Sequence, residues 1–220
     1  MCQTSPLLRY GDPLEGDICL GGQSAELAID ELKIAVKDGI LWLDGGNRGI
    51  LYAVTEFLEQ LGCRFFAPDC EYFPHTEKLN IAGDLKIHQC PVFEYRATSW
   101  KCVMDSPEFA VRLRLNGSAE IPTELGGRIS YAGFVHTLGD LAAAENTPAI
   151  YDADPCLSDE DVYQTVLKNL RKRLHDQPEA VIASVSQNDT NGKDCKCAAC
   201  MEKTMPKAPI WVPCFPLSTA

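Results

Sequence analysis

The sequence predicts an α/β protein, and three stretches carry that expectation. Asp38-Gly39 separates two alternating segments, Leu32 to Val36 and Ile40 to Leu43, and an Asp-Gly pair so placed signals a two-residue hairpin. The run GGNRGILYAVTEFLEQLGCRFFAP, Gly45 to Pro68, reads as a glycine turn, an amphipathic helix and a short buried strand. A second helix, capped by Ser158, precedes the β-branched run AVIASVS, Ala180 to Ser186. Helix, strand and polar tip in that order make one repeat of a parallel β/α sheet.

In the first half, residues 1–15 form a loose leading segment and Asp17 to Leu20 a short strand. The helix after Gly49 places Ile50, Val54, Phe57, Leu58 and Leu61 on one stripe, widened by Leu51. Thr55, Glu56, Glu59 and Gln60 take the opposite face. Asn47 is the expected N-cap, Gly62 the left-handed residue past the last turn, and Pro68 the end of the strand. Leu79 to Ile81 and Leu85 to Ile87 suit a final strand pair, with a domain boundary near Gln89. This divides the chain into residues 1–89 and 90–220. Gly45, Gly46 and Gly49 also invite a phosphate-binding reading, but the spacing is not G-x-G-x-x-G and no P-loop lysine-hydroxyl pair follows.

In the second half, Pro91 to Ser99 reads as a strand, Pro107 to Leu113 as a short helix, and Phe134 to Thr137 as a brief strand. The helix begun by Ser158 has Asp159, Glu160 and Asp161 in its first turn, where anions suit the dipole. Val162, Val166, Leu170 and Leu174 make its buried stripe, joined by Tyr163 and Leu167. Lys168, Arg171, Lys172, Arg173 and His175 form a solvated basic face. Gln187, Asn188 and Asp189 then follow the strand.

The net charge of −11 excludes a nucleic-acid surface, which must be basic, and disfavours an anionic membrane. No window approaches the roughly 18 apolar residues of a membrane span, and no signal peptide is expected near Met1. Eleven cysteines is an odd count, scattered through apolar segments. That pattern fits reduced thiols in the cytoplasm better than a disulfide framework.

Asp44-Gly45-Gly46, Arg48-Gly49, the helix, and Leu61 to Pro68 resemble the small N-terminal domain of alpha-glucuronidases and beta-hexosaminidases. The closer resemblance is to an uncharacterised domain family, related to those enzymes, in carbohydrate-utilising bacteria. It extends to Arg112 to Gly117, Phe134 to Thr137, Ser184 to Asp189, and Cys195-x-Cys197-x-x-Cys200. The resemblance implies a small α+β N-terminal domain followed by a (β/α)8-type glycosidase barrel. A full barrel needs about 250 residues, so residues 90–220 are expected to be its N-terminal part. The implied activity is glycoside-hydrolase-like action on polysaccharide-derived oligosaccharides, or their binding. The alternative is a non-catalytic carbohydrate-binding or accessory module, or an inactive fragment.

Barrel enzymes work at strand C-termini, which selects Asp189 as the catalytic acid and Asn188, His136 and Arg96 as substrate-binding residues. Relatives often carry a glutamate where Asp189 stands, and the second carboxyl group that hydrolysis needs is not identified. Asn188 and Asp189 as turn residues, and His136 as a hydrogen-bonded structural histidine, are the alternatives. Cys195, Cys197 and Cys200 are close enough to ligate a structural Zn²⁺ or, second, an iron–sulfur cluster. Cys214, Cys156, His175 and Asp194 are candidates for a fourth ligand, and free thiols in a surface loop are the alternative.

Overall fold

The computed structural model describes residues 11–22, 26–75, 78–117, 119–145, 147–149, 151–190 and 193–203. Expectations for residues 1–10 and for the proline-rich tail lie outside them. The chain is mixed α/β and forms two compact units, Met1–Arg128 and Ile129–Ala220. Among the described residues there is no closed barrel, and no helix is long and apolar enough to cross a membrane.

The first unit is built on a four-stranded sheet of β1 (Ile18–Leu20), β2 (Leu32–Lys37), β3 (Ile40–Gly45) and β6 (Lys86–Gln89), in the order β1-β3-β2-β6. The hairpin β2–β3 pairs Lys37 with Ile40, and Asp38 and Gly39 have φ of 54° and 73°. Two positive φ values make the turn whose twist matches the flanking strands. Leu32, Ile34, Leu41 and Leu43 bury one sheet face against Tyr52, Ala53 and Phe57 of α1 (Gly49–Gln60). β4 (Arg64–Ala67) and β5 (Cys70–Tyr72) form a separate antiparallel pair. The strand after α1 is therefore half-exposed rather than buried, because it never joins the main sheet.

The start of α1 differs from the expected Asn47 cap. Arg48 occupies the cap position without a side-chain bond, and Asn47 donates instead to the Gly126 carbonyl at 3.4 Å. Backbone does the capping: Arg48 and Gly49 both donate to the Ile29 carbonyl at 2.9 Å, and Gly46 donates to that of Glu31 at 3.0 Å. A Cβ on Gly46 would lie 2.0 Å from the Ala28 carbonyl oxygen, and one on Gly49 1.8 Å from that of Glu31. These glycines permit close backbone approach, and it leaves those N–H groups unavailable to a phosphate.

α1 is also buried on a second face. Thr55 and Glu56 are buried, not solvated: α3 (Pro107–Arg112) packs on α1, Arg114 after it meets Glu56, and the Thr55 hydroxyl donates to the Leu51 carbonyl at 3.1 Å. Arg114 donates to Glu56 and to Glu59, each at 2.7 Å. α2 (Lys101–Met104) packs beside α3.

Residues 91–99 do not form the expected strand. The Arg96 N–H donates to the Asn116 side-chain oxygen at 2.9 Å, and the Arg96 carbonyl accepts from the Asn116 N–H at 3.0 Å. A ladder thus gives way to a clamp around a fully buried asparagine. Asp30 anchors it: the carboxylate receives Arg48 Nε at 2.6 Å and Nη2 at 3.0 Å, and Asn116 Nδ2 at 3.3 Å. Leu79 to Ile81 likewise stays outside the sheet, and β6 alone closes it.

The second unit pairs β7 (Tyr131–Ala132) with β8 (Ile182–Ala183) in parallel, joined through α4 (Leu138–Ala142) and α5 (Glu160–Asp176). Parallel strands require such a crossover. β8 is shorter than the expected run Ala180 to Ser186, β7 falls just before the strand expected at Phe134 to Thr137, and those four residues are instead a turn leading into α4. Val166 is the buried centre of the α5 stripe. Asn169 Nδ2 ties α5 to the end of α4 through the Leu141 and Ala143 carbonyls, both at 2.9 Å. Asp159 caps α5 in place of Ser158, its Oδ1 accepting from Asp161 and Val162 N–H at 3.0 and 3.3 Å.

Two outcomes test this account of the first unit. Phe57→Ala, at a site only 6% exposed, is expected to cost about 3–5 kcal/mol in chemical denaturation. Burial pushes the Asp30 carboxyl up, but the Arg48 bond and the Arg48 and Arg96 charges outweigh it and hold it below its ordinary value. Its stabilising contribution is present above the unfolded value of about 3.9 and is lost as pH falls through the lower folded value. Acid denaturation of Asp30→Asn is therefore expected to show a shallower slope below about pH 4.

Candidate functional site

Four cysteines converge in the second unit. Cys156 lies in the turn before α5, its carbonyl accepting the Asp159 N–H at 3.0 Å. Cys195 and Cys197 follow β8, and Cys200 sits in α6 (Ala198–Lys203). Their four sulfurs lie within 4.8 Å of one another. Cys156 Sγ is 3.7 Å from both Cys197 Sγ and Cys200 Sγ, too far for a disulfide bond of about 2 Å. The Cys200 N–H points at Cys197 Sγ at 3.4 Å, and Cys200 Sγ is 3.2 Å from Ser158 Oγ.

The cluster therefore contains all three cysteines expected from spacing and adds Cys156 from 39 positions earlier in the chain. His175 and Asp194 are not among its members, and Cys214 lies outside the described residues. Ser158, read in sequence as a helix cap, instead contacts a thiol. The electrostatics are uneven. The Ser158 hydroxyl and then the Cys197 thiol draw Cys200 down to about 7. Cys195 is pushed up to about 12: its bond from the Cys197 backbone acts downward, and the Cys156 and Cys197 thiols outweigh it. Four thiolates this close repel one another unless a cation sits among them, so the set is suited to a metal ion.

A polar tip lies at the end of β8 in the same unit. His136 Nδ1 is 3.2 Å from the Gln187 carbonyl; a carbonyl only accepts, so Nδ1 carries the proton. Nε2 then faces Asp189 Oδ2 at 3.4 Å, with side-chain exposures of 42% and 91%. Asn188 is buried between them and the α5 approach. Its N–H donates to Asp154 Oδ1 at 2.8 Å and its Nδ2 to the Ala153 carbonyl at 3.1 Å. Exposed Phe134 and Val135 flank His136.

Thus His136, Asn188 and Asp189 are brought together. Arg96 belongs to the first unit, where its guanidinium donates to the Arg114 and Phe93 carbonyls, each at 2.7 Å, and pairs with Asp30 at 3.4 Å. Those contacts account for Arg96 without a ligand. Asp154 was not singled out in the sequence, although it lies two residues before Cys156. A cleft of about 340 Å³ opens beside Cys156, lined by alanines, prolines and Val162 with Asp154 as its one charged group. This apolar lining does not match a sugar's hydroxyls.

A mixed α/β chain with a parallel β/α crossover, a four-cysteine cluster and a polar strand tip is the class of protein these features define. The chain belongs to the family described as Domain of unknown function (DUF4838), whose profile matches residues 65–211. The match runs from β4 through the cysteine cluster and the His136–Asp189 pair. No curated protein and no solved structure matches the chain.

Asn188→Ala is expected to destabilise the second unit by about 1–3 kcal/mol, because the Ala153 carbonyl loses its buried side-chain partner while the backbone bond to Asp154 remains. Denaturation followed by a second-unit probe is the check; an unchanged midpoint removes Asn188 as the anchor.

Proposed function

We propose that this protein is a glycoside-hydrolase-like protein that binds or acts on polysaccharide-derived oligosaccharides through the tip at His136, Asn188 and Asp189. The observation that carries this reading is the His136–Asp189 pair at the end of a strand in a parallel β/α arrangement. A charged acceptor, an imidazole and the exposed Phe134 ring offer a pyranose both hydroxyl partners and an apolar platform. The β7–α4–α5–β8 crossover supports reading the second unit as part of a (β/α)8-type barrel. In this reading the domain boundary falls near Gln89, with residues 90–220 the barrel-like part.

Binding without hydrolysis is the reading that one observation favours. A general acid needs desolvated surroundings, and the Asp189 side chain is 91% exposed. At the cysteine cluster we assign a structural zinc ion. Tetrahedral coordination with Zn–S near 2.3 Å implies sulfur–sulfur edges of about 3.8 Å, beside the observed 3.7 Å. Free thiols across both units suit a reducing compartment, and we assign the cytoplasm.

A glycan panel tests the carbohydrate reading with the full chain. Asp189→Asn is expected to weaken binding of the captured oligosaccharide about 10–100-fold, the loss of one charge-assisted hydrogen bond. No captured glycan, or capture indifferent to Asp189→Asn, defeats it.

A further inference from the structure

The zinc assignment leaves open what the ion does for the rest of the unit. Residues 153–156 touch two things at once. At one end Ala153 and Asp154 hold the buried Asn188 through its side chain and N–H, at 3.1 and 2.8 Å. At the other end Cys156 meets Cys197 and Cys200 across 3.7 Å. The segment running from Asn188 to Cys200 is thereby held at both ends by the same four residues. Between those ends, Thr190 donates its N–H to the Asn188 carbonyl at 2.9 Å and its hydroxyl to Asp194 at 3.2 Å.

We propose that Cys156 completes a closed four-thiolate zinc centre with Cys195, Cys197 and Cys200, and that the metal is the clasp that positions the Asp189 tip. This rests on the zinc assignment above, and it holds whether or not the tip's ligand is a sugar. Four protein sulfurs leave no open coordination position, which separates a structural site from a catalytic one. The ion neutralises the repulsion among thiolates and closes a loop between the α5 approach and the segment after β8. Ser158 lies behind the ligands, 3.2 Å from Cys200 Sγ: with the sulfur bound to the ion as a thiolate, the bond reverses and the hydroxyl donates to it, fixing that sulfur's orientation. Without the ion the sulfurs repel or protonate, residues 153–156 lose their second anchor, and Asn188 is freed with them.

The experiment uses the full chain loaded with Zn²⁺ or Co²⁺. One zinc per chain is expected, and Cys156→Ser is expected to lose affinity by more than the roughly 10–100-fold that removing an outer-shell partner costs. Ser158→Ala falls within that range, and Cys102→Ser, at an exposed thiol of the first unit, changes nothing. In the cobalt form, Cys156→Ser lowers sulfur-to-metal charge-transfer absorption by one thiolate's share of four. Hydrogen exchange reads the clasp without any glycan. Chelation is expected to speed exchange at Asn188 and Thr190 at least about tenfold, while β2 and β3 stay protected. Asp154→Ala is expected to speed the same amides with zinc retained. Metal-free protein defeats the zinc assignment and this proposal together. Zinc bound equally by Cys156→Ser defeats the fourth ligand alone, and unchanged exchange on chelation defeats the clasp alone.

Discussion

The first unit depends on one carboxylate. Asp30 receives a two-pronged contact from Arg48 and further contacts from Arg96 and Asn116. These partners come from the start of α1, from the segment after β6 and from the turn after α3. The Arg48 and Asp30 side chains are only 7% and 14% exposed, so either charge alone would be costly to bury. Each side chain is tolerated because the others are there. Arg48 also reaches the Gly126 and Gly127 carbonyls at 3.4 and 3.3 Å. The pair thus makes residues 91–128 part of the same compact unit as the sheet, although the sheet itself ends at Gln89. Tyr52 lies fully buried beside this network, and burial and the Asp30 charge push its phenol up to about 12.

The second unit is held differently. Among the described residues its paired strands are two residues each, and its buried apolar set is small. A core of that size supplies little of the stability that folding requires. Polar bonds compensate near the strands: Thr137 Oγ1 donates to the Ser184 carbonyl at 3.0 Å and accepts the Ser186 N–H at 2.9 Å. Small cores commonly need a covalent or metal staple, and the four sulfurs lie where such a staple joins two distant parts of the chain.

What the sequence revealed follows the range of the physics involved. The Asp38-Gly39 turn, β2, β3, α1, α3 and α5 were legible because each is specified by local residues. So was the closeness of Cys195, Cys197 and Cys200, which spacing guarantees. Long-range facts were not legible. Glu56 looked like a solvated residue because its partner, Arg114, is 58 positions away. Pro91 to Ser99 alternates like a strand, yet Asn116 takes both Arg96 backbone groups. Asn47 and Ser158 have the chemistry of caps, but the Ile29 carbonyl and the Asp159 side chain accept the first N–H groups of α1 and α5 and release both side chains for other contacts. Cys156 was one of several candidate ligands until folding placed it.

At the tip, His136 is held in an unusual backbone conformation. Its φ is +55°, a left-handed conformation that costs a non-glycine residue on the order of 1–2 kcal/mol. Such strain persists only where surrounding contacts over-determine it. Here the Nδ1 bond to Gln187 and the Leu138 N–H bond to the Ser186 carbonyl, at 3.2 and 3.0 Å, fix the turn from both sides. The result is an imidazole turned toward an exposed carboxylate. A glycine would make the same turn without strain, so the turn alone does not account for the histidine. What the side chain adds is Nε2, half-exposed beside Asp189 Oδ2, and that atom is why the proposed ligand recognition is centred on this end of β8.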